Sequence, residues 1–328
     1  MALQIQTYHN GKSLPVLSGK AFSHSTDLFH IYDQTSGYEP ILVIASENKK
    51  IVAQILAVVR RKIHLFPPYL VKYCEIYDCG DYPNPSDSYS KDYLFAQLLE
   101  HLTQKILSGV FYIKFRNIET PLFGYKYFRQ EKYFPVGGVR VYNSLHSKAP
   151  VDRLDAIRKK QIQKSIERGV TFKPVETAQE KIDFIHFMKK NFSSQTRKHF
   201  PYHRFFECLI NYSFKKETIK SFIIKYKEKI IGGSLCVFSN ERAYLWFLGG
   251  MKKTYPFLYP KTMAVWAAIS YAKEKGINHF EFLDSGLPFD RFSYREFILS
   301  FGGKQTSTRQ WYRFRWKWLN QLLCRIYV

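Results

Sequence analysis

Two apolar, β-branched runs, residues 41–45 and 51–59, flank the turn Glu47-Asn48-Lys49, a spacing that predicts a β-hairpin. Residues 71–77 predict a third strand. Residues 78–90 are rich in Pro, Asp, Ser and Gly and read as a loop. Ser90 is then a predicted N-cap for a helix ending near Gly109, because Leu94, Leu98 and Leu102 recur at helical spacing. Residues 110–115 read as a buried strand. The second half repeats this order. Strands at 218–226 and 230–238 flank Lys227-Glu228-Lys229, and a third spans 242–248. A loop runs to Tyr259, a helix starts at Pro260 and stops at Gly276, and a strand covers 277–283. The repeated order reads as a duplication, with the copies in 1–150 and 151–328. Between them, 152–168 predicts one basic helix on which Arg153, Lys160, Lys164 and Arg168 share a stripe. That stripe is either a solvated face or a polyanion contact.

Composition narrows the picture. The net charge of +23 is uneven, +5 over residues 1–150 and +18 over 151–328, so the second half favours phosphates, nucleic acid or an anionic membrane surface. Five cysteines at irregular spacing, without a CxxC pair, support neither a zinc ribbon nor a disulfide framework. The chain has no P-loop, GxSxG elbow or HExxH, and no metal is expected. No apolar run is long enough to span a bilayer and no leader pattern opens the chain, so a cytoplasmic protein is expected, with peripheral attachment at the inner face of the membrane left open. Residues 311–328 mix Arg and Lys with Trp, Tyr and Leu. They read either as a last strand and helix on the core or as a segment lying at an anionic membrane surface.

The most informative stretch runs from Tyr244 to Gly303. A strand ends in Gly249-Gly250, a basic loop carries Lys252 and Lys253, and a helix opens with Pro260-Lys261-Thr262. Backbone N–H groups at such a helix start, aided by the dipole, bind phosphate, and glycines let the backbone approach it. Arg291 and Arg295, four apart, are candidates for a phosphate or carboxylate. Asp284, at a predicted strand end, is either a base or an Asx turn. Tyr244 and Tyr259 are either hydroxyl donors to a carbonyl or packing residues. Glu281 and Asp284 point to opposite faces of a strand and form no carboxylate pair.

The order of these features resembles the FemAB-like group of the GNAT superfamily. The resemblance rests on Trp266 in Ala264-Val265-Trp266-Ala267-Ala268-Ile269, on Ala272-Lys273-Glu274-Lys275-Gly276, on Asp284-Ser285-Gly286-Leu287, on Phe301-Gly302-Gly303, and on the basic helix before Gly169-Val170. It implies an α/β (α+β) chain of two tandem GNAT-like domains, each a mixed, mostly antiparallel sheet flanked by helices. It also implies an N-acyltransferase that moves an acyl group from acyl-CoA or acetyl-CoA to an amine, small-molecule or lipid-linked, in cell-envelope or polysaccharide biosynthesis. Catalysis would fall to Asp284, Tyr259 and Tyr244. The donor would be held by Gly249, Gly250, Lys252, Lys253, Lys261 and Thr262, and the substrate by Lys160, Lys164, Arg291, Arg295 and Trp266. The group's tRNA users often carry a long helical arm, which this sequence lacks, and its Phe-Lys before the last glycines stands here as Glu296-Phe297-Ile298. Both departures favour acyl-CoA over aminoacyl-tRNA as donor. The alternatives are an aminoacyl-tRNA-dependent peptidoglycan aminoacyltransferase and a non-catalytic module for polyanions or membrane surfaces.

Overall fold

A computed structural model of the chain describes residues 3–17, 19, 21–63, 70–117, 122–214, 216–239, 241–283, 285–288 and 292–327. In chain order these form β1 (Gln4–Tyr8), α1 (Thr26–Gln34), β2 (Tyr38–Glu47), β3 (Lys50–Ile63), β4 (Leu70–Tyr77), α2 (Lys91–Ile106), β5 (Tyr112–Asn117), α3 (Tyr125–Gln130) and β6 (Phe134–Ser144). There follow α4 (Pro150–Arg153), α5 (Ala156–Glu167), β7 (Val170–Pro174), α6 (Ala178–Lys190), α7 (Ser194–His199), α8 (His203–Ser213), β8 (Ile219–Tyr226), β9 (Lys229–Ser239) and β10 (Arg242–Gly250). The chain closes with α9 (Pro260–Glu274), β11 (His279–Phe282), α10 (Ser293–Leu299), β12 (Lys304–Phe314) and α11 (Lys317–Ile326).

Two compact units result, one of residues 1–138 with 307–328, the other of residues 139–306. The sequence places the division near 150 and leaves the C-terminus with the second half. The C-terminal residues instead return to the first unit, because β12 pairs antiparallel with β5. Each unit has the same strand plan: β1-β2-β3-β4-β5-β12 in the first, β7-β8-β9-β10-β11-β6 in the second. Neighbours are antiparallel except β4 with β5 and β10 with β11. A parallel pair needs a crossover, and α2 and α9 supply it. Within each unit the strands thus pair in a mixed, mostly antiparallel pattern, as the duplication predicts.

In the first unit, Ser90 accepts a hydrogen bond from the Tyr93 amide at 3.2 Å and starts α2. Leu94, Leu98 and Leu102 carry that helix onto a core with Val43, Ile55, Ile76 and Phe115. An ion cluster is buried in the same unit. Glu75 accepts from Arg60 Nη1 at 2.6 Å and from Arg116 Nε, with the Arg60 guanidinium 4.8 Å from the Tyr38 ring centroid.

In the second unit α9 is buried on most of its circumference, its Ala264, Ala267 and Ala268 packed in the core. Small residues bring the helix close to β9: Ser234 Oγ donates to the Ala264 carbonyl at 2.8 Å, and a Cβ at Gly232 would stand 2.7 Å from the Pro260 carbonyl oxygen. The predicted helix over 152–168 is broken. Asp155 takes an extended conformation and its carboxylate accepts from the Arg158 amide at 2.6 Å, capping a new helix. Arg153 therefore lies on α4, apart from Lys160, Lys164 and Arg168. The Arg168 guanidinium donates to the Phe257 carbonyl at 2.6 Å, so this end of the stripe holds a loop.

Candidate functional site

The two parallel pairs differ in one respect. In the first unit β4 stays paired with β5 to its last residue, Tyr77. In the second, among the described residues, β10 pairs with β11 over Arg242–Leu245 and then runs on to Gly250. The register of β10 against β9 shifts between Leu245 and Phe247, leaving Trp246 as the extra residue of a bulge. A bulge bends its strand and sharpens the local twist, which turns the end of β10 away from β11. Two openings lie along this end.

The larger is an open cleft of about 920 Å³. One wall is the C-terminal half of α6 (Asp183, His186, Phe187, Lys190), and the other is the end of β10 with its loop (Gly250, Met251, Lys252, Lys253, Thr254) and Lys261 of α9. Glu228 and Ile230 of the β8–β9 hairpin complete it. The start of α9 forms part of this wall for a stereochemical reason. A Cβ at Gly250 would stand 2.9 Å from the Lys261 backbone nitrogen, so only glycine lets the strand end meet the helix start so closely. Tyr259 at the N-cap is held at φ 45°, an uncommon conformation for a bulky residue, which turns the chain sharply into Pro260. While α5 and α6 are capped by the side chains of Asp155 and Thr177, α9 has no side-chain cap. Pro260 has no N–H and the Met263 amide donates to the Tyr259 carbonyl at 3.0 Å, so the N–H groups of Lys261 and Thr262 are the first-turn donors that no side chain caps. Burial pushes the Lys261 ammonium below its ordinary pKa, and the nearby positive charge of Lys252 pushes it further. Four lysines (Lys190, Lys252, Lys253 and Lys261) and two carboxylates, Asp183 and Glu228, line the cleft.

The smaller opening is a slot of about 30 Å³ at the splay itself, lined by Thr196, His199, Trp246, Phe247, Leu283 and Tyr294, with Ser193 and Leu245 at its margin. It has room for a group about as large as a water or a methyl. Ser193 Oγ accepts from the Thr196 amide at 3.2 Å and so starts α7, which carries the buried His199. Aromatic rings of Phe200 and Phe205 stand 5.2 and 5.9 Å from Trp246 and fix the wall behind it.

The residues expected from sequence separate into groups. Gly250, Lys252, Lys253 and Lys261 come together on the large cleft. Gly249 lies one residue short of it, where a Cβ would stand 3.0 Å from the Phe187 ring on the α6 side. Thr262 is buried, and its hydroxyl donates to Gln161 Oε1 at 3.3 Å. Tyr244 is buried in β10, opposite Val237 and Glu281, and Tyr259 forms the helix turn; neither lines these two openings. Trp266 packs against the core, and Lys160 and Lys164 lie on α5. Arg295 donates to the Leu287 carbonyl at 2.7 Å and bonds the loop before α10. Asp284 and Arg291 lie outside the described residues. His199, Thr196 and Tyr294 emerge only from the structure. The sequence marks His199 with no more than its spacing of four from His203, across Pro201.

Comparison with known proteins follows the same lines. Residues 156–291 match the family model of an acetyltransferase (GNAT) domain. The whole chain is similar to the crystal structure of FemX, with a TM-score of 0.65, 12% identity, and 98% of this chain and 99% of that one covered. A tandem GNAT protein from the clavulanic acid biosynthesis pathway, described without AcCoA, gives a TM-score of 0.55 at 8% identity over 96% and 99%. The C-terminal domain of a putative lysylphosphatidylglycerol synthetase from Agrobacterium fabrum gives 0.53 at 11% over 91% and 90%. A search of curated proteins finds no match.

Proposed function

We propose that the chain, whose tandem fold is FemX-like and whose residues 156–291 match a GNAT acetyltransferase domain, is an acyltransferase that moves a short acyl group from acyl-CoA to an amine of a cell-envelope component. One observation carries the donor assignment. The uncapped start of α9, the close approach of Gly250, and the side chains of Lys252, Lys253 and Lys261 converge on one cleft beside the splayed strand. Three kinds of phosphate ligand are therefore available together: backbone N–H groups, a helix dipole and ammonium groups. In this reading the diphosphate of CoA sits there, and its pantetheine arm follows the edge of β10 that β11 has left, toward the slot. The slot's small volume supports an acetyl-sized group.

Chemistry follows from what faces the slot. The neutral amine attacks the thioester carbonyl, a C–N bond forms and the C–S bond breaks. The His199 imidazole takes the proton released from the amine, and the Tyr294 hydroxyl supplies a proton to the departing thiolate. Backbone N–H groups at the Trp246 bulge are the candidate donors to the carbonyl oxygen as it gains charge. Asp284 is the alternative base. For the acceptor, a lipid-linked or envelope amine draws support from the lysylphosphatidylglycerol synthetase likeness.

The test combines free-thiol release from acetyl-CoA over a panel of amines with thermal melts in CoA or bulk tRNA. Amine-dependent thiol release and a CoA-dependent rise in Tm are expected. His199→Gln should lower kcat at least 100-fold with the acetyl-CoA KM little changed. A rise in Tm with tRNA and none with CoA would move the donor to aminoacyl-tRNA, the arrangement that the basic face of α5 with Lys160 and Lys164 would suit.

A further inference from the structure

The last helix has two faces of opposite character. On one, Asn320 is buried: its Oδ1 accepts from the Phe314 amide at 2.9 Å and its Nδ2 donates to the Lys132 carbonyl at 2.9 Å. Cys324, one turn on, donates to the same carbonyl at 3.5 Å. This face is how α11 is fastened to the first unit. At 100° per residue, Trp318, Leu322 and Ile326 fall within one 80° arc on the other side. They are 65%, 49% and 63% exposed. Trp316, half exposed, stacks on Trp318 with ring centroids 6.3 Å apart and widens the stripe toward the helix start.

Charge identifies what covers it. From Lys304 to the end the sequence has Lys304, Arg309, Arg313, Arg315, Lys317 and Arg325 and no Asp or Glu. Arg313 is paired with Glu131 at 2.8 Å, whereas Arg315, Lys317 and Arg325 stand exposed around the stripe. A second copy of the chain would bring a like-charged surface to the same patch and be repelled. An anionic surface with an apolar layer beneath it meets both features. Among the described residues no helix is long and apolar enough to cross a membrane, and α11, at ten residues, is of the kind that lies in the interface plane.

We propose that α11 docks the chain on an anionic membrane surface. Trp318, Leu322 and Ile326 enter the boundary below the headgroups, and Arg315, Lys317 and Arg325 engage lipid phosphates. The inference stands apart from the transferase reading, since it uses none of the residues of either opening.

Flotation of the full chain with vesicles tests it. Binding to phosphatidylcholine vesicles containing a quarter phosphatidylglycerol is expected, falling steeply between 50 and about 500 mM salt, with little binding to phosphatidylcholine alone. Lys317→Gln with Arg325→Gln should weaken it about 25-fold, near fivefold per charge. Trp318→Ser and Leu322→Ser should each weaken it at least tenfold. Unchanged Tm in the variants excludes misfolding as the cause. If a stripe variant fails to fold, quenching of wild-type tryptophan fluorescence by brominated phosphatidylglycerol, and its reduction in Trp318→Phe, gives the same answer. Absence of binding to the anionic vesicles, binding indifferent to the stripe, or a stripe-dependent dimer by light scattering would each overturn the proposal.

Discussion

Replacing Lys261 with methionine should push stability and donor affinity in opposite directions. The methylene stem is largely kept, so the change is mainly the loss of a charge. Burial and then Lys252 hold the Lys261 ammonium below its ordinary pKa. The unfolded chain therefore binds that proton more tightly than the folded chain does. A protonated Lys261 costs stability at every pH below its folded pKa, and the cost fades as pH rises toward the unfolded value. Lys261→Met removes the cost, so Tm at pH 7 should rise. A phosphate in the cleft reverses the balance, because it supplies the counter-charge that Lys252 denies. A charge-assisted hydrogen bond contributes roughly 1.5–3 kcal/mol. Its loss should raise the acyl-CoA KM about 10- to 100-fold and leave kcat nearly unchanged, since the group stands away from the reacting carbonyl. Melting curves and initial rates against acyl-CoA concentration read both quantities. An unchanged KM would refute the phosphate role. A fall in Tm together with a raised KM would show Lys261 acting as a structural residue.

Three further outcomes follow from other parts of the molecule. Glu75→Gln leaves Arg60 and Arg116 buried without their carboxylate and should cost about 3–5 kcal/mol in denaturant titration; a loss under about 1 kcal/mol would contradict it. His24 is fully buried, its Nδ1 accepts from the Leu56 amide at 3.0 Å, and burial lowers its pKa from 6.5 to about 3. The fold holds it neutral, so its contribution is complete above pH 6.5 and is lost as pH falls toward about 3, by roughly 1.4 kcal/mol per unit. The stability difference between wild type and His24→Asn should shrink with that slope, and a pH-independent difference would contradict it. Gly124, at φ 74°, leaves a Cβ 2.3 Å from Phe95 Cε1, so Gly124→Ala should cost about 1–3 kcal/mol; urea midpoints within error of wild type would remove the packing argument.

Periodicity made much of this fold legible. Ser90 and the leucines of α2, Pro260 and Gly276 around α9, and both hairpins stand where local pattern places them. Gly250 and Lys261 were legible as a glycine pair followed by a helix start, because that chemistry is local. What escaped is set by pairing at a distance. Nothing within 242–250 marks Trp246 as a bulge, yet the bulge lies in the wall of the slot. β12 joins the first unit and β6 the second through partners far along the chain, which no local run encodes. His199 acquires a place at the slot only because α7 packs beside β10, and Asp155, read as part of a helix, instead starts a new one.

A crystal structure of the chain with CoA tests the central claim most directly. The diphosphate should lie within hydrogen-bonding distance of the first-turn N–H groups of α9 and of Lys261, with the sulfur directed toward His199. CoA seated beside β4 and β5 of the first unit, or a cleft that stays empty at saturating CoA, would contradict the account.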